Sequence, residues 1–250
     1  MLTEQRQEEI LRILERKGSV ALQELKEYFH ASESTIRRDL NSLAARGALV
    51  KVFGGAVRRG GSIDSRDMQM EERRELHAEE KEKIGRYAAS LIGPGDFVYL
   101  DAGTTTGAMI PYLTEKTAVF VTNAVSHALR LSAGGFRVIL SGGEIKASTE
   151  AAVGVEACES LKKYNFTKGF FGSNGVSPER GFSTPDIREA AVKKCALEHA
   201  AEAYVLCDGS KFFCASPVSF AGFSDACVIT DRLPSEEYRQ YQNLIFLEEK

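Results

Sequence analysis

The pattern of apolar and polar positions divides the chain into two unlike halves. After Thr3, which can cap a helix, Ile10, Leu11, Ile13 and Leu14 recur at helical spacing, and Gly18 stops the run. Leu22, Leu25 and Phe29 repeat that spacing between Val20 and His30. A turn at Ala31 leads to a third stripe, Ile36, Leu40 and Leu43, which ends near Gly47. Three short helices would share one small apolar core, and the tight connection between the second and third predicts a helix-turn-helix. The stretch 48–59 then interleaves apolar and basic residues around Gly54-Gly55. Gly-Gly between β-prone runs predicts a hairpin, which after a third helix makes a wing.

Residues 60–80 are polar and charged and open with Gly60-Gly61, so they read as a linker that becomes helical. Ile84, Tyr87, Ala88 and Leu91 give a helix that Gly93-Pro94-Gly95-Asp96 ends. Beyond it, strands are predicted at 97–101, 118–122, 136–140, 169–171, 204–208, 226–230 and 244–247. Helices are predicted at 105–113, 124–131, 155–164, 185–201 and 235–242, with Pro185 in a first turn, where its missing donor does no harm. Apolar strands alternating with amphipathic helices predict a mainly parallel sheet covered on both faces. The expected organisation is α/β: a winged helix-turn-helix at 1–57, a linker at 58–77 and an α/β domain at 78–250.

Charge sharpens the division. The whole chain carries a net −3, but residues 1–60 hold 11 Lys and Arg against 8 Asp and Glu. The remainder holds 21 against 27. Between Ser34 and Arg59 there are six basic residues (Arg37, Arg38, Arg46, Lys51, Arg58 and Arg59) and a single acid, Asp39. A local basic face on an acidic protein suits a nucleic-acid-reading module attached to something else. The five cysteines are odd in number and none has C-x-x-C spacing, which argues for buried reduced thiols rather than a disulfide framework or a zinc site. The histidines His30, His77, His127 and His199 also lack metal-ligand spacing. No cofactor and no metal is expected. The N-terminus is charged and no apolar run approaches a membrane span, so a cytoplasmic protein without a membrane partner is expected.

The third helix carries the first candidate chemistry. Ser32, Ser34 and Thr35 offer hydroxyls, and Arg37 and Arg38 offer guanidinium groups, largely off the apolar stripe. Guanidinium pairs with a guanine edge, and both kinds of group hold phosphate. Lys51, Arg58 and Arg59 on the wing could touch phosphate as well. The alternative is an ordinary amphipathic helix and a plain closing hairpin with solvated cations. The second set lies at the carboxyl ends of predicted strands, where open α/β sheets bind ligands. These ends read Asp101-Ala102-Gly103-Thr104-Thr105-Thr106, Thr122-Asn123, Ser141-Gly142-Gly143, Gly172-Ser173-Asn174-Gly175 and Asp208-Gly209-Ser210-Lys211. Glycine permits close backbone approach, and hydroxyls with free N–H groups at a helix start seat a phosphate. Five such ends point to a small phosphorylated polyol. Gly103, Thr104 and Thr105 are the expected phosphate seat, with Thr106 beside them. Asp101, Asn123, Asn174 and Glu189 are expected on hydroxyls, and Lys211 on either. Thr122, Ser141, Gly142, Gly143, Gly175 and Asp186 complete the candidate set. First-turn acids such as Asp186 and Glu189 also serve the helix dipole alone.

Ser32-x-x-Thr35-Ile36-Arg37-Arg38-Asp39-Leu40 with Gly54-Gly55-Ala56, followed by the strand-end motifs above, resembles the DeoR/GlpR family of bacterial transcription regulators over nearly the whole chain. Gly181-Phe182-Ser183-Thr184-Pro185-Asp186 looks most like the repressors of fructose and lactose phosphotransferase operons. The resemblance implies a repressor that reads double-stranded operator DNA, and symmetric half-sites then call for a homodimer or homotetramer. It also implies an effector such as fructose 1-phosphate. The family's sensor domain is similar to ribose-5-phosphate isomerase, which supplies the rival: a sugar-phosphate isomerase or deaminase fused to a DNA-binding arm. Such an enzyme needs carboxylates to move the proton. Here Phe171 and Asn174 stand where the isomerases carry acids. A third reading is a pocket without a ligand, in a protein that answers to a protein partner.

Overall fold

A computed structural model describes residues 2–17, 19–52, 55–58, 70–212 and 214–247, without the side chains of residues 15–17, 19, 52, 57, 58, 71 and 72. The expected stops and contacts at Gly18, Gly54 and Arg59 lie outside the described residues, as does the side chain of Arg58. The N-terminal unit is α1 (Thr3–Lys17), β1 (Ser19–Ala21), α2 (Leu22–Phe29), α3 (Glu33–Ala45), β2 (Leu49–Val52) and β3 (Gly55–Arg58). Ile10, Leu14, Leu25, Ile36, Leu40 and Leu43 form its core, at the positions the helical spacing marked. Val20 is a correction: it belongs to β1 and not to the second helix. It lies opposite Ala56 in a three-stranded antiparallel sheet ordered β1-β3-β2. The β-branched side chain fills the core from the sheet, and Gly55 lets the strands close. A Cβ there would lie 2.2 Å from the Val20 carbonyl oxygen.

The turn between α2 and α3 has a local cause. His30 takes a left-handed φ of 48°, and the Ser32 Oγ then accepts the Thr35 N–H at 3.3 Å. Asp39, the lone acid of the basic stretch, turns inward and is 1 % exposed. Arg6 Nε donates to it at 2.5 Å and Gln7 Nε2 at 3.2 Å, which ties α3 to α1.

The second unit begins inside the expected linker with α4 (Met70–Glu75), then α5 (Ala78–Ser90), β4 (Phe97–Leu100), α6 (Thr104–Gly107), β5 (Val119–Thr122), α7 (Val125–Ala133) and β6 (Arg137–Leu140). It continues through β7 (Glu144–Lys146), β8 (Ala151–Val153), α8 (Val155–Leu161), β9 (Phe166–Gly172), β10 (Gly175–Ser177), β11 (Gly181–Thr184), α9 (Ile187–Glu198), β12 (Ala200–Leu206), β13 (Val218–Ala221), β14 (Cys227–Thr230) and β15 (Leu244–Phe246). Seven of these strands, all parallel, make one sheet ordered β15-β14-β12-β9-β4-β5-β6. Alternate residues face opposite layers. Val98, Leu100, Phe120 and Phe170 pack with Ile84 and Ala88 of α5. Tyr99, Val121, Phe171 and Val205 pack with Leu161 of α8 and Val192 of α9. The expected sheet with two covered faces is present.

Several boundaries differ. The expected helix 105–113 is only the four residues of α6 followed by a short helical turn at Ile110–Tyr112. Pro185 precedes α9 rather than sitting in it, because Asp186 caps the helix by accepting the Arg188 and Glu189 N–H groups at 2.7 and 3.4 Å. The same helix stops at Glu198, since Ala200 already pairs with Phe166. The β7–β8 hairpin and a small antiparallel sheet, β10-β11-β13, were not anticipated.

From β4 the chain adds β5 and β6 on one side, then crosses to the other side of β4 to lay down β9, β12, β14 and β15. The connections leaving β4 and β9 therefore diverge, and a crevice opens between their carboxyl ends.

Two substitutions test the packing. At Gly85, a Cβ would lie 2.6 Å from the Ala108 carbonyl group. Gly85→Ala is expected to destabilise the α/β domain by about 1–3 kcal/mol in urea unfolding, although glycine to alanine favours an isolated helix. Asp39→Ala leaves Arg6 without its buried partner. It is expected to destabilise the N-terminal domain by about 3 kcal/mol, read as a lower melting temperature.

Candidate functional site

The outer face of α3 is the first candidate surface. Arg38 is exposed and makes no ion pair or side-chain hydrogen bond among the described residues. Arg37 is exposed but held by Glu33, whose Oε1 lies 2.7 Å from its guanidinium. Ser34 and Thr35 both lie within hydrogen-bond distance of the Ser32 hydroxyl, at 2.9 and 2.8 Å. Ser32 is thus the helix cap and joins its neighbours in one hydroxyl cluster at the start of α3. Lys51 on the wing donates to Asn41 Oδ1 at 2.6 Å. With Asp39 buried beneath, the outer face of α3 keeps both arginines and loses the only acid that followed them.

The second candidate is the crevice between β4 and β9. Asp101 ends β4 and is 1 % exposed. Its carboxylate meets the Lys193 ammonium of α9 and accepts the Gly172 N–H at 3.0 Å. Lys193 also donates to the Gly172 carbonyl at 3.1 Å, so one buried cation joins β4, β9 and α9. Burial pushes the Asp101 carboxyl above its usual range, against the pull of Lys193 and the Gly172 N–H. Asp101, expected on a ligand hydroxyl, lies beneath the crevice as a structural counter-ion.

Above this pair a cleft is lined by Gly103, Thr104 and Thr105 from one side and Asn174 and Lys211 from the others. Five of the predicted residues therefore share one wall-to-wall space. Lys211 stands on a short helical turn, Gly209–Lys211, capped by Asp208, which accepts the Ser210 N–H at 2.9 Å. Burial works against the Asp208 carboxylate, yet Lys211, His77 and the Ser210 bonds hold it below its usual range. Among the described residues no carboxylate, imidazole or thiol lines this cleft.

The other predicted residues are placed elsewhere. Thr106 donates to the Asp101 and Gly103 carbonyls at 2.7 and 3.0 Å, which fixes the turn. Asn123 accepts from the Tyr99 hydroxyl and the Ala102 N–H and donates to the Ala152 carbonyl. Thr122 accepts the Ala124 N–H at 3.1 Å. These three brace the backbone from fully or nearly fully buried positions. Ser141, Gly142 and Gly143 lead into β7, and Gly143 (φ 123°) has no room for a Cβ beside the Val153 carbonyl. Gly175 likewise lets β10 approach the Cys214 carbonyl. Asp186 and Glu189 gather with Lys146, 3.1 and 3.3 Å away, and Glu189 accepts from Thr149 at 2.6 Å. Burial opposes the Asp186 charge, but Arg188 and Lys146 take its pKa down to about 2.

Two cations of the cleft were missed: Lys81 of α5 and Arg73 of α4. Lys81 is 6 % exposed, and burial lowers its ammonium to about 8, with Asp208 pulling the other way. It sits in a run, Glu79-Glu80-Lys81-Glu82-Lys83, that looks solvated. Its spacing to Ile84, Gly85 and Ala88 places it on the buried stripe, which was the available signal. On the far side of the Gly103-Thr104 turn lie Arg74, Arg130 and His127. Burial and the Arg130 charge lower His127 to about 4, so it is neutral at pH 7. No cluster of potential metal ligands occurs among the described residues, and no helix there is long and apolar enough to cross a membrane.

Comparison with known proteins finds matches for both halves of the chain. Residues 6–60 match the family described as DeoR-like helix-turn-helix domain, and residues 76–232 match DeoR C terminal sensor domain. The chain is 42 % identical over 243 residues to the protein described as "Uncharacterized HTH-type transcriptional regulator FruR" of Bacillus subtilis, covering 97 % of this chain and 96 % of that one. It is 34 % identical over 235 residues to the lactose phosphotransferase system repressor of Streptococcus mutans, covering 92 % and 93 %. Among solved structures, ribose 5-phosphate isomerase A of Methanocaldococcus jannaschii covers 53 % of each chain at 17 % identity with a TM-score of 0.38. The full-length sorbitol operon regulator SorC of Klebsiella pneumoniae covers 77 % of this chain and 85 % of its own at 11 % identity and a TM-score of 0.37. The chain belongs to the DeoR family of DNA-binding transcriptional regulators.

Proposed function

We propose that this regulator represses a sugar-utilisation operon in the cytoplasm and that a phosphorylated sugar of the fructose 1-phosphate type controls its grip on operator DNA. The observation that carries the reading is the chemistry of the β4–β9 cleft. Hydroxyls and backbone N–H groups at Gly103–Thr105 converge there with Lys81, Lys211 and Arg73. Cations and donors without a carboxylate suit a phosphate dianion and a polyol. A sugar-phosphate isomerase moves its proton with carboxylates, and none lines the cleft among the described residues. That supports binding without turnover. The seat is narrowed to Gly103, Thr104, Thr105, Asn174 and Lys211 with the two added cations. Arg38 leads the DNA contacts, supported by Arg37, Ser34 and Thr35, while Lys51 and Arg58 reach phosphate from the wing.

A homodimer or homotetramer accompanies this reading, since symmetric half-sites call for symmetric proteins. Leu129 of α7, Leu140 of the edge strand β6 and Ile145 of β7 are exposed apolar residues that support such an interface. The effector acts by preferring one of two arrangements of the assembly.

A thermal-shift panel tests the ligand class. Fructose 1-phosphate at a hundred times its Kd is expected to stabilise the protein by about 2.7 kcal/mol, while fructose does nothing. An equal shift with the free sugar contradicts the phosphate seat. Arg38→Ala is expected to lower operator affinity by about 1–3 kcal/mol in fluorescence anisotropy and leave the ligand-induced shift intact. Thr104→Ala is expected to do the converse, weakening ligand binding about tenfold, the loss of roughly one charge-assisted hydrogen bond, with operator affinity in the absence of ligand unchanged.

A further inference from the structure

The Lys81 side chain has two neighbours of different kinds. It lines the cleft beside Thr104 and Lys211, and its ammonium also donates to the carbonyls of Arg73 and Leu76, at the end of α4 and in the turn beyond it. A lysine in that position satisfies carbonyls that have no partner of their own at a helix C-terminus. An ammonium has three N–H donors. Two reach α4 and its turn, and the third has no acceptor among the described residues.

No carboxylate forms an ion pair with this buried cation among the described residues. Arg73 and Lys211 repel it, and Asp208 and Glu80 attract it from further away. An oxyanion in the cleft would supply both the missing acceptor and the missing charge. It would hold Lys81 in the charged form, which makes the stronger bonds to the two carbonyls. α4 is also the first described helix after the DNA-binding unit, whose last strand ends at Arg58. Met70, at its start, is 3 % exposed and shares a pocket with Gly103, Thr104 and His127, so this helix also meets the sensor domain away from the Lys81 end.

We propose that Lys81 is the residue through which an oxyanion in the cleft fastens α4 to the sensor domain, so that the ligand sets where the linker leaves it. This rests on the cleft being the effector site, and it adds the element that the effector moves. Arg73, which contributes a carbonyl to Lys81 and also lines the cleft, belongs to the same fastening.

Hydrogen exchange on the full-length protein tests it. Fructose 1-phosphate and inorganic phosphate serve as oxyanions and fructose as the uncharged control, with melting temperature followed in parallel. In the wild-type protein an oxyanion that raises the melting temperature is expected to slow exchange at 70–77 by about tenfold. Lys81→Met removes one cation of the seat, so the oxyanion is expected to bind more weakly; at concentrations raised until the melting temperature shifts as in the wild type, exchange still slows around Gly103–Thr106. The slowing at 70–77 is lost there. Lys81→Arg, which keeps charge and donors, restores it. A wild-type melting shift with no change at 70–77 overturns the role of Lys81 and leaves the effector site standing. So does equal slowing in Lys81→Met. If neither oxyanion raises the melting temperature, the effector site and the fastening fall together. Should Lys81→Met fail to fold, the wild-type comparison decides alone.

Discussion

A buried ion pair at the point where the strand order reverses underlies the rest of the sensor domain. Asp101 and Lys193 join the ends of β4 and β9 to α9, in a place that burial makes costly for either charge alone. Removing one partner of such a pair costs about 3–5 kcal/mol. The carboxylate that follows β4 is paired with Lys193 and does not line the cleft, whose walls carry hydroxyl and ammonium side chains. Among the described residues no carboxylate lines that cleft.

The same separation of charge governs the N-terminal unit. Asp39 points inward to Arg6 and Gln7, and the outer face of α3 keeps its two arginines. A carboxylate at that position of the helix would repel phosphate if it faced outward. Turned inward, it orients the recognition helix on α1. In both units an acid is buried beside a cation. The two phosphate-directed surfaces proposed above can therefore sit on a chain of net charge −3.

The helical stripes of the N-terminal unit were legible because each is longer than two turns and interrupted by clear turn residues. The parallel strands were legible because they are nearly uniform apolar runs, as strands buried on both faces must be. The three- and four-residue strands β7, β8, β10, β11 and β13 were not, since they are too short to show a period and Gly or Ser interrupts β10, β11 and β13. Val20 was misread because one residue serves equally as a helix start or as a strand that fills the same core. At the strand ends, composition marked the right neighbourhood but not the roles. Thr106, Thr122 and Asn123 have the residue types of a ligand site, but the two threonines bond the backbone of their own turns and Asn123 bridges Tyr99, Ala102 and Ala152. Lys81 was hidden by its acidic neighbours, and Arg73 by lying in a segment that reads as linker.

The account is tested most directly by a crystal structure of the full chain with fructose 1-phosphate. Phosphoryl oxygens within hydrogen-bond distance of the Gly103–Thr105 backbone and hydroxyls, with Lys81 and Lys211 beside them and the sugar unaltered, are the predicted result. A phosphoryl group anywhere else, or a sugar converted to another isomer, would contradict it.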